Sequence, residues 1–239
     1  MSCDIRRLDC IGFLRELPDA CVDLIATDPA YSGMNQHMRF GRGRIVGSYG
    51  KPGNGRWFTE FHDDPETYRA FLAECRRVLR PDRHIYIMFD SFSLLSLGGL
   101  VREFFDVKCV IVWDKVAIGM GHYFRRRHEH VLFATKGNRK LSRRDLPDVW
   151  TVPRLRRAAY PTQKPTALFE LMLAGSAEPG QVVCDPFTGS GSSAVAALRS
   201  GCDFIGADID ERAVKLARHR CETFMSHGVD PLEPCLPAR

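Results

Sequence analysis

The run Val182-Val183-Cys184-Asp185 passes at once into a turn holding Gly189 and Gly191. A helical stretch at 192–200 follows, and then a second apolar run at 204–207 closed by Asp208. This strand–turn–helix–strand order constrains the fold more than any other feature. Two strands joined by a helix must lie parallel in one sheet, with a right-handed crossover. Glycines in the first turn allow positive φ and let backbone N–H groups approach a ligand at the next helix's N-terminus. An acid ending the second strand is suited to ribose hydroxyls. The spacing is not G-x-G-x-x-G, and Asp-Pro-Phe stands where a dinucleotide site would place its first glycine, which argues against NAD.

The same alternation of short apolar runs and amphipathic stretches covers most of the chain. Strands are expected at Val22–Thr27, 84–89, 108–113, 130–135, Val182–Asp185 and 204–207. Helices are expected at 9–16, 65–79, 92–104, 166–176, 192–200 and 211–224, with Pro81 stopping the second. The pattern predicts an α/β fold, a mostly parallel sheet covered on both faces. A length of 239 residues suits one such domain, taken as 1–225, with a tail at 226–239 expected to fray.

Two segments break the alternation. Residues 32–58 are rich in Gly and Arg, show no period, and are long for a structureless loop. Between Pro29 and Thr59 there is no acidic residue, whereas Arg39, Arg42, Arg44, Lys51 and Arg56 are all present. A second basic stretch holds Arg125, Arg126, Arg127, Arg139, Lys140, Arg143, Arg144, Arg154, Arg156 and Arg157. The formal net charge of +5 is modest, but its concentration in two segments points to a polyanionic partner. The nine cysteines form no C-x-x-C pair, so they are read as reduced thiols and no metal site is expected. No apolar stretch reaches the roughly 18 residues of a membrane span, and no apolar core follows the N-terminal charges. A cytoplasmic protein without membrane association is expected.

Asp28-Pro29-Ala30-Tyr31 closes the first apolar run. A carboxylate, a fixed carbonyl and an aromatic ring at a strand end can receive a flat ring bearing an amino group. Three motifs carry a resemblance. Asp185-Pro-Phe-Thr-Gly-Ser-Gly-Ser-Ser resembles the S-adenosylmethionine motif D-P-F-x-G-S-G-T-T of the amino DNA methyltransferases. Pro161-Thr162-Gln163-Lys164-Pro165 resembles their P-T-Q-K-P segment, and Asp28-Pro-Ala-Tyr31 their catalytic D-P-P-Y. Weaker matches are Arg77-Val-Leu-Arg-Pro81, and Trp113-Asp-Lys115 followed by His128-Glu129. The order, catalytic motif first and cofactor motif last, resembles the β class.

The resemblance implies a Rossmann-like, circularly permuted methyltransferase sheet, with the basic loop 32–58 and a short target-recognition region at 121–160. It implies S-adenosylmethionine as cofactor and double-stranded DNA as partner, and it allows a homodimer. Asp185, Gly189 and Gly191 would bind the methionine part, Thr162 and Lys164 its carboxylate, Asp208 the ribose, and Phe187 would pack near the adenosine. Asp9 and Cys10 match a short motif lying against the adenine; alternatively they are a helix cap and a core thiol. Asp28 and the Pro29 carbonyl would each accept a hydrogen of the target amino group, and Tyr31 would stack on a base flipped from the duplex. Arg39, Arg42, Arg44, Arg125, Arg126, Arg143 and Arg144 would contact DNA. Asp at the first motif position favours N6 of adenine over N4 of cytosine, where the family more often has Ser. Methylation of RNA or a protein amide, and a silent DNA-binding subunit, are the alternatives from other classes.

Overall fold

In chain order the strands are β1 (Cys3–Arg7), β2 (Val22–Thr27), β3 (Leu79–Phe89), β4 (Asp106–Asp114), β5 (His128–Lys136), β6 (Val149–Thr151), β7 (Val182–Asp185) and β8 (Asp203–Asp208). The helices are α1 (Cys10–Glu16), α2 (Pro65–Val78), α3 (Ser91–Leu97), α4 (Thr166–Leu173), α5 (Ser192–Arg199) and α6 (Glu211–His227), with a 3₁₀ turn at Gly98–Glu103. The computed structural model describes residues 1–29, 64–119, 123–156, 158–160 and 162–233. Tyr31, Arg39, Arg42, Arg44 and the loop 32–58 lie outside the described residues.

The strands form one sheet in the order β1-β8-β7-β2-β3-β5-β4-β6. All neighbours pair parallel except β5, which runs antiparallel to both β3 and β4. The late strand β7 therefore sits between its partner β8 and the early strand β2, as the permuted order implies. Leu24 pairs with Val183 and Ile25 with Cys184. The ends of these two strands, Asp28 and Asp185, consequently leave the sheet side by side.

Alternation along the buried strands divides the core between two faces. Leu24, Ala26, Tyr86 and Met88 pack with α4, α5 and α6 through Leu168, Phe169, Met172, Val195 and Val214. On the other face Ile25, Ile85 and Ile87 pack with α1 and α2 through Phe13, Leu14, Phe71, Leu72 and Val78. α2 shows why these stretches are helical. Its buried residues Tyr68, Phe71, Leu72, Cys75 and Val78 recur on one stripe. Asp64 caps its first turn by accepting from the Glu66 and Thr67 amides, and Pro65 occupies the first helical position.

Several sequence-based boundaries move. β1 was not expected, because only Ile5 of its five residues is buried, so the run lacks a readable period. β6 has three residues, too few for any pattern. The expected helix 92–104 divides at Gly98 into α3 and the 3₁₀ turn. Pro81 does follow the end of α2, but β3 begins at once. Val22 pairs with Leu79 and Leu24 with His84, so the residues between Leu79 and His84 bulge outward. Asp82 there adopts φ +53°. Arg80 and Arg83 fold back from this bulge onto buried Asp23, at 2.8 and 3.0 Å.

The tail expected to fray from residue 226 is instead held, as far as Glu233. α6 continues to His227, and Asp230 is fully buried. Arg220 forms a two-pronged pair with Asp230 at 2.7 and 2.6 Å, and also reaches Glu233 at 3.0 Å. The same guanidinium donates to the Ser190 carbonyl at 3.2 Å, Ser192 Oγ at 2.9 Å and Thr166 Oγ1 at 2.8 Å. The sequence signal pointed the wrong way because prolines mark the tail, whereas its anchor is a charge pair formed over ten residues.

Burial alone would raise the Asp230 carboxyl, but Arg220 outweighs it and holds it below the usual range. The stabilisation from this pair is therefore present above about pH 4 and is lost as pH falls below the folded value. Asp230→Ala leaves the Arg220 guanidinium buried without its main partner and is expected to cost about 3–5 kcal/mol. Urea unfolding at pH 7.5 measures this directly, and replacing both residues by apolar ones should recover much of the loss.

Candidate active site

The parallel strands β1, β8, β7, β2 and β3 end along one edge of the sheet, and the side chains there come from widely separated parts of the sequence. Thr27, the last residue of β2, donates from Oγ1 to Asp185 Oδ1 at 2.7 Å. Asp185 also accepts from Ser193 Oγ at 2.5 Å and from the Phe187 amide at 3.0 Å. Its carboxyl is buried, and burial pushes it up to about 7, against the lowering effect of these three donors; the nearby Asp28 charge adds to the rise. Asp185 is thus a structural hub at the mouth of the turn.

The turn after β7 folds around its glycines. Gly191 adopts φ +83°, and a Cβ there would meet Ala217 Cβ of α6 at 3.0 Å, so this glycine serves close packing. Gly189 adopts φ +52°, and a Cβ there would meet nothing nearer than 3.9 Å. The Gly189 amide donates to Asp208 Oδ2 at 2.9 Å, and the Asp210 amide to Asp208 Oδ1 at 2.8 Å. Burial raises the Asp208 carboxyl, opposed by these amides. An open glycine beside an acid at the neighbouring strand end is a cradle shaped for a nucleoside-type ligand. The residues present therefore fit an S-adenosylmethionine site.

Asp28 lies one strand away. Lys164 Nζ is 2.5 Å from Asp28 Oδ2 and 3.5 Å from Glu129 Oε2, while Lys115 Nζ is 2.9 Å from Glu129 Oε1. Burial works against the Lys164 charge, but Asp28 and Glu129 outweigh it and raise its pKa. Glu129 is held below the usual range because Lys164 and Lys115 outweigh its own burial. Pro29 is buried beside Asp28.

The remaining sequence-derived residues divide. Asp9 follows β1, whose Arg7 pairs with Asp208, so it sits on the same edge. Its carboxylate caps α1 through the Gly12 amide at 2.8 Å, and Cys10 is a buried thiol pushed up to about 12 by burial. Both properties are those of the cap-and-core alternative. Thr162 is half-buried beside Gln163, whose amide donates to the Tyr160 carbonyl. The Phe187 ring packs edge-on against Phe71 of α2 at 5.6 Å. Arg125 and Arg126 stand at the site end of the β4–β5 connection. There Arg126 lies over the Phe92 ring and 3.4 Å from Asp90. Arg143 and Arg144 do not reach this end. β5 runs antiparallel and ends at Lys136 opposite Arg83, so the chain after it lies at the far edge of the sheet, where Arg143 pairs with Asp145. The expected DNA contact therefore involves Arg143 and Arg144 at a different end of the sheet from Arg125 and Arg126. The chain returns through β6, and the Arg154 amide donates to the Lys115 carbonyl at 3.2 Å, which brings exposed Arg154 near the site instead.

Thr27, Ser193, Lys115 and Glu129 were not singled out for roles here. The last two do stand in the Trp-Asp-Lys and His-Glu matches, which was the available signal. Ser193 closes the cofactor motif, whereas Thr27 carried no signal.

A family model described as "DNA methylase" matches residues 22–219. The Type II methyltransferase M2.DpnII of Streptococcus pneumoniae is 28% identical, over 90% of this chain and 87% of its own. The DNA adenine methyltransferase YhdJ of Escherichia coli (strain K12) is 26% identical, over 94% of this chain and 84% of its own. Among solved structures, the M1.HpyAVI–SAM complex superimposes with a TM-score of 0.66 at 21% identity, covering 91% of this chain and 99% of that one. PvuII DNA methyltransferase (cytosine-N4-specific) gives 0.66 at 13% identity, covering 91% and 86%.

The two glycines should separate by experiment. Gly189→Ala places a side chain at positive φ with no close neighbour and should cost about 1–2 kcal/mol of stability, while filling the ligand side of the turn and weakening cofactor binding. Gly191→Ala adds overlap with Ala217 and should cost about 3 kcal/mol or more. Urea midpoints paired with calorimetric titration of S-adenosylmethionine read both effects.

Proposed function

We propose, from the premise that this chain belongs to the DNA methylase family, that it transfers a methyl group from S-adenosylmethionine to N6 of adenine in duplex DNA. The observation that carries the reading is the parallel pairing of β2 with β7. It sets the Asp28 carboxylate beside the glycine turn although the two are far apart in sequence. The E. coli relative is named a DNA adenine methyltransferase and the S. pneumoniae relative a Type II methyltransferase, and together they support adenine methylation at a recognised site.

An exocyclic amino group is a poor nucleophile, because its lone pair is delocalised into the ring. Asp28 and the Pro29 carbonyl answer this by each accepting one amino hydrogen, which draws electron density onto nitrogen as positive charge develops there. This is electrostatic and positional catalysis. Bound S-adenosylmethionine supplies an electrophilic methyl on its sulfonium sulfur. Asp208 and the open face of Gly189 hold that cofactor, with Asp185 fixing the turn from beneath. Tyr31 is assigned the stacking role for the extruded base. The base has to leave the duplex to reach a strand-end pocket, at a cost of a few kcal/mol. Arg125, Arg126 and Arg154 contribute salt-sensitive phosphate contacts, and the basic residues of 32–58 are assigned the same role.

The partner on this reading is duplex DNA, engaged by one copy or by a homodimer in the cytoplasm. No helix among the described residues is long and apolar enough to cross a membrane.

Incubation with labelled cofactor and mixed-sequence DNA, followed by nucleoside analysis, should show N6-methyladenine. Label found only in N4-methylcytosine would overturn the base assignment. Asp28→Ala should lower turnover by about 10²–10³-fold with cofactor affinity within a few-fold of the parent. Retention of full activity would remove Asp28 from the chemistry.

A further inference from the structure

We propose that Lys164, Glu129 and Lys115 form a positioning relay that fixes the Asp28 carboxylate and balances its charge, so that Lys164 serves Asp28 rather than the cofactor's carboxylate. This inference rests on the methyl-transfer reading above.

The relay joins residues of four elements. Asp28 follows β2, Lys164 precedes α4, Glu129 lies on β5, and Lys115 follows β4. Their side chains are only 14–24% exposed. The contacts run in sequence, from Lys115 to Glu129 at 2.9 Å, Glu129 to Lys164 at 3.5 Å and Lys164 to Asp28 at 2.5 Å. Two ammoniums alternate with two carboxylates, so their formal charges cancel. An isolated ammonium this withdrawn from water would be costly, and flanking carboxylates offset that cost.

The backbone of Lys164 is fixed from the opposite side. Ser192 Oγ donates to its carbonyl at 2.6 Å, and Arg220 in turn donates to Ser192 Oγ. One residue thus joins the base of the cofactor turn to the carboxylate of the neighbouring strand. At the other end, the Lys115 amide donates to the Arg127 carbonyl at 2.9 Å. Arg127 clamps Asp114 with two bonds of 2.7 Å. The relay therefore starts at the root of the β4–β5 connection, which carries Arg125 and Arg126.

Charge balance gives Glu129 its purpose. Positive charge develops on the target nitrogen as it bonds the methyl and the methyl's bond to the sulfonium sulfur breaks, and Asp28, accepting an N–H, stabilises that charge. An ammonium lying wholly on Asp28 would weaken that acceptor. Glu129 shares the ammonium, leaving Lys164 able to orient the carboxylate without neutralising it. Lys164 and Glu129 are positioning residues in this scheme, since neither touches the base.

Charged groups facing Asp28 include Lys164 directly, Glu129 behind it, and Asp185 on the adjacent strand, whose carboxyl feels the Asp28 charge. Because burial pushes the Asp185 carboxyl up to about 7, the readout is the displacement between parent and variant profiles rather than the position of either.

The test uses the full chain as parent, Lys164→Met, Lys164→Arg and Glu129→Gln. Turnover at saturating DNA and cofactor is followed from pH 5 to 9, and cofactor affinity is measured by calorimetry without DNA. Lys164→Met should lower turnover about 100-fold and move the acid limb upward by about one pH unit or more. Lys164→Arg should return the limb most of the way, which guards against a variant that merely misfolds. Glu129→Gln should lower turnover about tenfold with an unchanged KM for DNA. Cofactor affinity should stay within a few-fold throughout. Cofactor affinity reduced more than about 30-fold in Lys164→Met, with turnover intact at saturation, would assign Lys164 to the cofactor and overturn the relay. So would unmoved limbs in the two lysine variants, or parental turnover in Glu129→Gln, with an active parent. A parent that transfers no methyl to DNA would instead contradict the underlying reading, and the relay with it.

Discussion

The pairing of β2 with β7 is the contact on which the rest of the molecule depends. These strands are separated by most of the chain, yet Leu24 and Ile25 lie in register with Val183 and Cys184. The Thr27 hydroxyl closes the junction on Asp185. Both faces of the joint are buried, by α4–α6 on one side and α1–α2 on the other. A slip of one residue would turn every apolar side chain to the wrong face. The register that buries Leu24 and Ile25 on their proper faces is thus also the register that sets Asp28 beside the glycine turn. Fold stability and site geometry share one cause.

Support for the site comes from beneath and behind. Asp185 accepts from three donors, Thr27, Ser193 and the Phe187 amide, and so ties β2 to the turn. Arg220 binds the same turn, through Ser190 and Ser192, to the C-terminal residues Asp230 and Glu233 and to Thr166 at the start of α4. Hydrophobic packing holds the layers together, while buried polar groups determine where the functional loops sit. Such networks cost stability if broken and contribute little if replaced whole by apolar residues. Their value here lies in fixing geometry.

The sequence disclosed the architecture where periodicity was strong. Val22–Thr27 and Val182–Asp185 were readable to the residue, because short apolar runs ended in an acid. β1 was not, since charged residues flank Ile5 on both sides, and β6 is too short for any period. The bulge after Leu79 also escaped notice, because only the register of the partner strand reveals it. The candidate site's motifs were legible wherever they stood in one stretch of chain, as with Asp28 and Gly189, and the β2–β7 pairing brings those stretches together. It was illegible where function needs groups brought together by topology. Lys164 appeared as a residue for the cofactor's carboxylate, yet its ammonium lies between Asp28 and Glu129. Arg143 and Arg144 looked equivalent to Arg125 and Arg126, and only the antiparallel course of β5 separates them. Charge along a sequence does not show which edge of a sheet it will occupy.

The most direct test of the shared pocket is a crystal structure of the full chain with a non-reactive analogue of S-adenosylmethionine. The nucleoside should lie against Gly189 and Asp208, with the atom replacing the transferable methyl directed toward Asp28. Well-defined density for the analogue elsewhere, or a bound pose turning that atom away from Asp28, would contradict the account.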